Sequence, residues 1–385
     1  MTPQLSVWEK ESFFAPADII IAGSGLVGLW SAYYLKKKAP SLSITIVERG
    51  LIPTGASTRN AGFACFGTLS EMIAGAQEMG EEQMLELTAM RYRGLKKISK
   101  VFKDKEIGLE RNGGYELIPA ADNNELRSRI DTFNRLLKDV TGKQKIFRLQ
   151  NHKLAGFGFA GIQHLIGNDS EAQLHSGKLC QALLRLVQSM GVTVLNNMEI
   201  TGYEKVHGQV LLHIRNAPSL LSSQLLVATN AFARQILPQL DIVPARGQVI
   251  VTSPIENLPF QGTFHFDEGF YYFRNLGDRV LLGGARNKAL GEETTAEMEL
   301  SEKIQRELER FLRDVILPRR HYTIEHRWSG IMAMGSEKMP ILKAVNDHVF
   351  CAVRMSGMGV ALAPVIGEKI ATLMTGSGSP GGLTA

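Results

Sequence analysis

The first patterned stretch of the chain is a run of three β-branched residues, Ile19, Ile20 and Ile21, between Asp18 and a cluster of glycines. A short unbroken apolar run of this kind suits a strand covered on both faces of a parallel sheet. Directly after it, Leu26, Val27, Leu29, Ala32, Tyr33 and Leu35 supply an apolar helix face. Lys36, Lys37 and Lys38 then stand where cations complement a helix C-terminus, and Pro40 stops the helix. A second apolar run, "SITIVE", ends in Glu48. The opening is strand, helix, strand.

Further along, residues 71–105 show helical spacing with many charges, and "RNGGYELIPA" gives a glycine turn and a strand before an amphipathic helix over 123–138. "HSGKLCQALLRLVQSMGVTVLNNMEITGYE" predicts a helix, a stop at Gly191 and a buried strand, and "SQLLVATNAFA" another strand running into a small-residue turn. Over 241–287 the texture changes to antiparallel strands, "VPARGQVIVTSP", "GFYYFRN" and "DRVLLGGARN". A charged helix over 295–315 and a closing strand, glycine turn and helix in "VFCAVRMSGMGVALAPVIGEKIATLM" complete the chain. Rossmann-like pieces thus stand at the beginning, middle and end, which predicts an α/β protein of two interleaved domains.

At 385 residues the chain is long enough for two cores. Its 44% hydrophobic and 21% charged content is that of an ordinary globular protein. A net charge of +5 scattered among 38 acidic residues argues against nucleic-acid binding. Cys65, Cys180 and Cys351 are far apart and form no C-x-x-C, so neither a disulfide framework nor a metal site is expected, and the compartment is read as reducing and cytoplasmic. No run is apolar enough for a membrane span, and the tail "TGSGSPGGLTA" has the composition of a flexible segment.

Chemistry enters at the first turn. Gly23, Gly25 and Gly28 complete G-x-G-x-x-G between the first strand and its helix, and Glu48 lies twenty residues beyond Gly28. In a Rossmann unit those glycines let the backbone approach a pyrophosphate, whose charge meets the free N–H groups of the helix start, and the acid accepts hydrogen bonds from the adenosine ribose. Glu48 argues against a 2′-phosphate, which leaves NAD or FAD.

The stretch after Glu48, "RGLIPTGASTRNAGFACFG", is no regular βα unit. Here the sequence resembles the FAD-dependent D-amino-acid oxidase superfamily, in particular its glycine oxidase, sarcosine oxidase and γ-glutamylputrescine oxidase branch. The resemblance covers nearly the whole chain through "GASTRNAGF", "HSGKLCQALLRL", "VATNAFA", "VPARGQVIVT", "RWSGIMAMGSEKMPIL" and "MSGMGVALAPVIGEKIA". It implies a GR2-type, Rossmann-like FAD-binding domain (17–85, 150–235 and 325–378) interleaved with a smaller α+β substrate domain on a mainly antiparallel sheet (86–149 and 236–324), with 1–16 and 379–385 as termini.

Carried over residue by residue, the resemblance implies that Gly23, Gly25, Gly28 and Glu48 hold the ADP half of a non-covalent FAD, with Arg49 among the cofactor-binding residues. Ser57, Arg59 and Asn60 match the loop passing the pyrophosphate and flavin; Ala228 and Thr229 belong to the same set, and Gly357, Met358, Gly359 and Val360 match the late flavin loop. Arg59 has the alternative of a surface ion pair, and the late glycines that of ordinary turn residues. Trp328 is expected to pack structurally, and His265 is read as structural.

Two departures bear on the substrate. The amino-acid-oxidising relatives place a carboxylate-binding arginine just after the Trp-x-Gly turn, where this chain has Met332. Arg354 stands where relatives have glycine, and two readings of it stay open: an anion-binding group near the flavin, or an arginine paired with an acid. No clear match exists for the oxygen-activating lysine of monomeric sarcosine oxidase; Lys338 lies in its neighbourhood and is expected to face solvent. Strand alternation sends Tyr272 and Arg274 to one face, and Tyr271 and Phe273 to the other; one pair is read as looking onto the flavin, which makes Tyr272 and Arg274 candidates beside Met332 and Arg354, with plain sheet packing as the alternative. The resulting expectation is a flavoenzyme that oxidises the C–N bond of a small amine or amino acid and passes electrons to oxygen or another acceptor. The alternatives are a 2-hydroxy-acid dehydrogenase feeding a quinone or carrier, and a flavin-binding regulatory protein.

Overall fold

The computed structural model describes residues 4–376. The expected terminus 379–385, and most of the glycine-serine tail, lie outside the described residues. The chain forms two compact units, one from residues up to 58, 177–244 and from 332 onward, the other from 59–176 and 245–331.

The first unit is built on a sheet ordered Thr193–Leu195, Ile44–Val47, Ala17–Ala22, Leu220–Val227, Val349–Val353 and Ile341–Ala344. Neighbours are parallel except for the last strand, which runs antiparallel to Val349–Val353. The isoleucine run is buried throughout, as a strand covered on both faces requires. The helix Leu26–Lys38 is buried on nearly every side, because the helix Gly359–Met374 packs against it at backbone distance. A Cβ at Gly367 would lie 2.7 Å from the Trp30 carbonyl carbon. Lys36 is therefore buried too, and its ammonium donates to the carbonyls of Pro40 (2.6 Å) and Leu42 (2.9 Å) instead of reaching solvent. The strands Ile200–Val206 and Gln209–Ile214 form a hairpin added to the sheet through Leu220–Val227.

The second unit carries an eight-stranded sheet ordered Ile324–Met334, Val243–Thr252, Arg279–Gly284, Tyr271–Leu276, Thr263–Phe266, Gly114–Ile118, His164–Asn168 and Arg148–Leu149. One of its faces is aromatic: Phe264 stacks on Phe273 at 4.8 Å and on Tyr115 at 5.0 Å, and the helix Glu302–Phe311 adds Ile304, Leu308 and Phe311. The expected helix over 295–315 is shorter than its charge pattern suggested; it begins at Glu302 and ends in a widened turn, Leu312–Ile316. The helices Leu69–Met79, Glu81–Val101 and Asn123–Thr141 contribute to a second cluster with Ile146, Phe147 and Ile166. The sequence-based boundaries placed 59–85 and 150–176 with the nucleotide-binding body. In the structure they cluster with the second unit, because Phe66, Leu69 and Met72 share that core and Phe63–Ala64 pairs with Ala172–Gln173; 325–331 also joins it as part of the strand Ile324–Met334, 236–244 joins the first unit instead of the substrate domain, and the second unit is the larger of the two rather than the smaller. Among the described residues, no helix is long and apolar enough to cross a membrane.

Candidate active site

In the first unit, strand register brings the sequence-distant candidates together. Ala22 lies opposite Val47 on one side and Val227 on the other, and Val227 lies opposite Cys351. Gly23, Glu48 and Ala228 therefore leave the carboxyl edge of the sheet side by side, where open α/β sheets bind their ligands. Hydrogen bonds zip this edge: Gly23 N–H to the Val47 carbonyl (2.8 Å), Ala228 N–H to Ala22 (2.9 Å) and Glu48 N–H to Leu195 (2.9 Å).

The glycine turn is tight. Gly23 has φ of +102°, a conformation that favours glycine, and a Cβ at Gly28 would lie 2.0 Å from the Gly23 carbonyl oxygen. At the helix start, Leu26 N–H donates to the Ser57 hydroxyl (2.9 Å), and the first intrahelical bond runs from Leu29 N–H to the Gly25 carbonyl (3.0 Å). Val27 and Gly28 N–H thus belong to the first turn, whose donors have no carbonyl four residues back. Glu48 is buried; one carboxylate oxygen accepts from Ser24 N–H (3.0 Å) and hydroxyl (2.8 Å), the other from Gly50 N–H (2.9 Å). Arg49 stacks on the Phe232 ring, with its guanidinium carbon 3.8 Å from the centroid.

A late loop in the same unit joins the strand Val349–Val353 to the helix Gly359–Met374. Arg354, Ser356 and Gly357 all have positive φ (62°, 46° and 81°), and the Asn230 side-chain oxygen accepts from Arg354 N–H at 3.2 Å. The helix has no side-chain cap at Met358. The Met332 sulfur lies 3.5 Å from the position a Cβ would take on Gly357, so Met332 sits against this turn. The hydroxyls of Thr229 and Ser356 are buried without a hydrogen-bond partner among the described residues. Ser356 had no signal in the sequence beyond its neighbouring glycine.

These features fit FAD. A first helical turn whose Val27 and Gly28 N–H groups have no carbonyl four residues back suits a pyrophosphate, a buried acid stands beside it, and the Thr229 and Ser356 hydroxyls are buried without a partner among the described residues.

Of the two readings of Arg354, the structure corrects the anion-binding one. Its guanidinium donates to Asp241 (2.5 Å), to Glu337 (3.2 Å) and to the Met339 carbonyl (3.0 Å). Two carboxylates already neutralise it. Ser336 hydrogen bonds, then Arg354, hold the Asp241 carboxyl below its usual range. Lys338 is half-buried rather than solvent-facing.

In the second unit, Arg59 donates to the Ser329 carbonyl (2.9 Å), and its own carbonyl accepts from the Trp328 ring N–H (2.9 Å). Trp328 thus packs on the loop as expected. The Asn60 side-chain oxygen accepts from Gly62 N–H (2.9 Å) and the Ser176 hydroxyl (2.7 Å). Tyr272 and Arg274 share one sheet face, as alternation predicted. Tyr271 and Phe273 join the aromatic core behind it, where the Tyr271 hydroxyl donates to Glu307 (2.5 Å).

Buried carboxylates escaped the sequence reading. Glu171 accepts from Phe66 N–H (3.0 Å) and Gly67 N–H (3.3 Å), and Glu116 from Leu69 N–H (3.0 Å) and the Ser70 hydroxyl. Burial outweighs these donors and raises the carboxyls to about 8 and about 7 respectively. They fasten residues 66–70 and are anchors rather than reactive groups. Among the described residues no cluster of His, Cys, Asp and Glu suits a metal ion.

The family model described as FAD dependent oxidoreductase, DAO, matches residues 18–373. A probable oxidoreductase, OrdL, of Haemophilus influenzae is 21% identical over 378 residues, covering 94% of this chain and 83% of that protein. The bifunctional protein ThiO/ThiG of Synechocystis is 23% identical; the match covers 93% of this chain and about half, 51%, of that protein's length. Among solved structures, L-proline dehydrogenase from P. horikoshii superposes with a TM-score of 0.76 at 17% identity, covering 95% of both chains. Glycine oxidase from Geobacillus kaustophilus superposes with a TM-score of 0.75 at 17% identity, covering 95% of this chain and 96% of that one. At these identities the superpositions show a shared fold.

Proposed function

The chain belongs to the FAD-dependent oxidoreductase family DAO, and from that premise we propose that it oxidises a C–N bond of a small amine or amino acid. It is an oxidoreductase, and its cofactor is FAD. Bound FAD supplies the acceptor for a hydride, two electrons with their proton, taken from the carbon that bears the nitrogen. Loss of that hydride leaves an iminium ion, which gives its N–H proton to water to become the imine, and water then converts the imine to a carbonyl compound and an amine.

The first unit is the FAD-binding body in this reading. Gly23, Gly25 and Gly28 give the backbone close access to the pyrophosphate, and the Val27 and Gly28 N–H groups meet its charge. Glu48 accepts from the ribose, held in place by Ser24 and Gly50. Ser57 fixes the helix start, Arg49 lies alongside, and Ala228 and Thr229 continue the cradle from the neighbouring strand. Gly357, Met358, Gly359 and Val360 present a second uncapped helix start, whose N–H groups favour negative charge as the cofactor is reduced. Arg59 and Asn60 keep the role that the family loop implies. The second unit is the substrate domain, with the sheet face of Tyr272 and Arg274 as its binding surface.

The observation that carries this reading is the side-by-side exit of Gly23, Glu48 and Ala228 from the sheet edge in a chain matched by the family model almost end to end. The names of two structural relatives, a proline dehydrogenase and a glycine oxidase, support amino acids as the substrate class. Anaerobic mixing of the FAD-loaded protein with amines, N-methyl amino acids, D- and L-amino acids and 2-hydroxy acids tests it through flavin absorbance. Bleaching by a nitrogen compound is expected; bleaching by 2-hydroxy acids alone would overturn it. Recovery on admitting air then tells an oxidase from a dehydrogenase.

A further inference from the structure

The sheet of the second unit carries a buried cation that makes no ion pair among the described residues. Arg274 is only 6% exposed and stands mid-strand between Thr263 and Leu281. Its Nε is buried without a hydrogen-bond partner among the described residues. The other buried arginines of this unit are paired: Arg91 with Glu71 at 2.7 Å, and Arg246 with Glu293 through two bonds of 2.8 and 2.9 Å. Glu110 is the acid whose charge Arg274 feels, and Glu110 is already engaged by the Gln173 side chain at 2.8 Å. Burial lowers the guanidinium to about 10, so it remains a cation at neutral pH.

Its neighbours extend the same vacancy of partners. Gly62, at φ of +75°, makes room for Arg274: a Cβ there would lie 3.0 Å from one guanidinium nitrogen. One row along the sheet, His265 pairs across the strands with Tyr272, and the His265 Nε2 is likewise buried without a partner among the described residues. Burial depresses His265 to about 4, which keeps the ring neutral. Two orphaned polar atoms thus belong to the neighbours of Tyr272, one two residues along its strand and one on the facing strand, on the sheet face opposite Phe264 and Phe273. A protein that pairs its buried arginines elsewhere bears the cost of an unpaired one where a ligand brings the counter-charge. One guanidinium beside a neutral imidazole balances a single negative charge, which a carboxylate carries and a pyrophosphate exceeds.

We propose that Arg274 receives the carboxylate of the small molecule this chain oxidises, supplying from the strand Tyr271–Leu276 the cation that the sequence lacks at Met332. The planar guanidinium forks onto a carboxylate through two parallel hydrogen bonds, and His265 and Tyr272 line the same surface. The identity of the ligand as substrate rests on the amine-oxidation reading; the anion site itself does not.

The test is isothermal titration of the FAD-loaded full chain with acetate, benzoate and their neutral amides, for wild type, Arg274→Met and Arg274→Lys, with a thermal melt of each ligand-free protein. Wild type is expected to prefer the carboxylates to the amides. Arg274→Met should weaken carboxylate binding at least tenfold while leaving FAD content and amide binding unchanged, and Arg274→Lys should fall between. The ligand-free Met variant should melt at or above the wild-type temperature, since it loses an uncompensated charge. Equal carboxylate affinity in wild type and Arg274→Met, or no carboxylate binding by either, would overturn the proposal. So would a lowered melting temperature, which marks a structural arginine, or loss of FAD, which marks the cofactor phosphate as the anion. Because binding is read without turnover, the two claims separate. Carboxylates that need Arg274 in a protein whose flavin no nitrogen compound bleaches would remove only the oxidation reading. Amine-driven bleaching with Arg274-independent carboxylate binding would remove only this one.

Discussion

Gly28→Ala tests whether the cofactor cradle depends on helix and strand meeting at backbone distance. In a free helix the change would stabilise by about 1 kcal/mol, because alanine is the better helix former. Here the added Cβ would lie 2.0 Å from the Gly23 carbonyl oxygen and 3.3 Å from an Ile21 methyl. Restoring ordinary contact distance needs a shift of more than about 1 Å, and both nearest groups are held: Gly23 belongs to the tight turn, and Leu26–Lys38 is backed by Gly367 against Trp30. Overpacking of a rigid contact costs about 1–3 kcal/mol, and this overlap is at the severe end, so a net loss of about 2 kcal/mol is expected. The shift also moves the Val27 and Gly28 N–H groups, so FAD affinity should fall with stability. Urea unfolding of the FAD-free protein and FAD titration by fluorescence quenching measure the two effects. Gly75→Ala is the control, because the nearest atom to its Cβ is the Met84 Cγ at 3.4 Å, and stability there should hold or rise. Wild-type urea resistance and FAD affinity in Gly28→Ala would refute the packing argument.

Other outcomes follow from the second unit. Glu293→Ala strands Arg246 and the Gln248 amide, which donate to the Glu293 carboxylate at 2.8–3.0 Å, and should cost about 3–5 kcal/mol in chemical denaturation, as breaking a buried pair does. Glu116 and Glu171 are raised by burial to about 7 and about 8 from an ordinary 4.5, so the folded state binds their protons more tightly than the unfolded chain. Their contribution is complete below the unfolded value and is lost as pH rises through 7 and 8. Stability should therefore fall between pH 5 and 9, by about 1 kcal/mol per pH unit for each group while it titrates, and Glu171→Gln should flatten the profile; a stability that rises over this range would contradict the assignment.

What the sequence made legible was local. The strand, glycines, helix and acid from Ile19 to Glu48 are consecutive, so periodicity and spacing carried them into the structure intact. Strand alternation separated Tyr272 and Arg274 from Tyr271 and Phe273 for the same reason. Contacts between distant segments left no such trace. Ser57 meets Leu26 N–H from 31 positions away, and Arg354 meets Asp241 from 113 away; nothing in either neighbourhood distinguished a paired arginine from an anion site. Glu116 and Glu171 carried no signal in the sequence, because a carboxylate's backbone partners, here the N–H groups of residues 66–70, are invisible in a one-dimensional pattern. Arg274 is the converse case. Its position was readable, but its lack of a partner became visible only once its surroundings were assembled.

The most direct test of C–N oxidation is a single-turnover balance under anaerobic conditions. The FAD-loaded protein is mixed with the nitrogen compound that bleaches it, quenched, and assayed for carbonyl product and released amine against flavin reduced. One carbonyl and one amine for each FAD reduced is the predicted result. For an acyclic compound, whose imine falls into two pieces on hydrolysis, reduced flavin without a released amine would mean that the hydride comes from a carbon bearing something other than nitrogen, and would contradict the account.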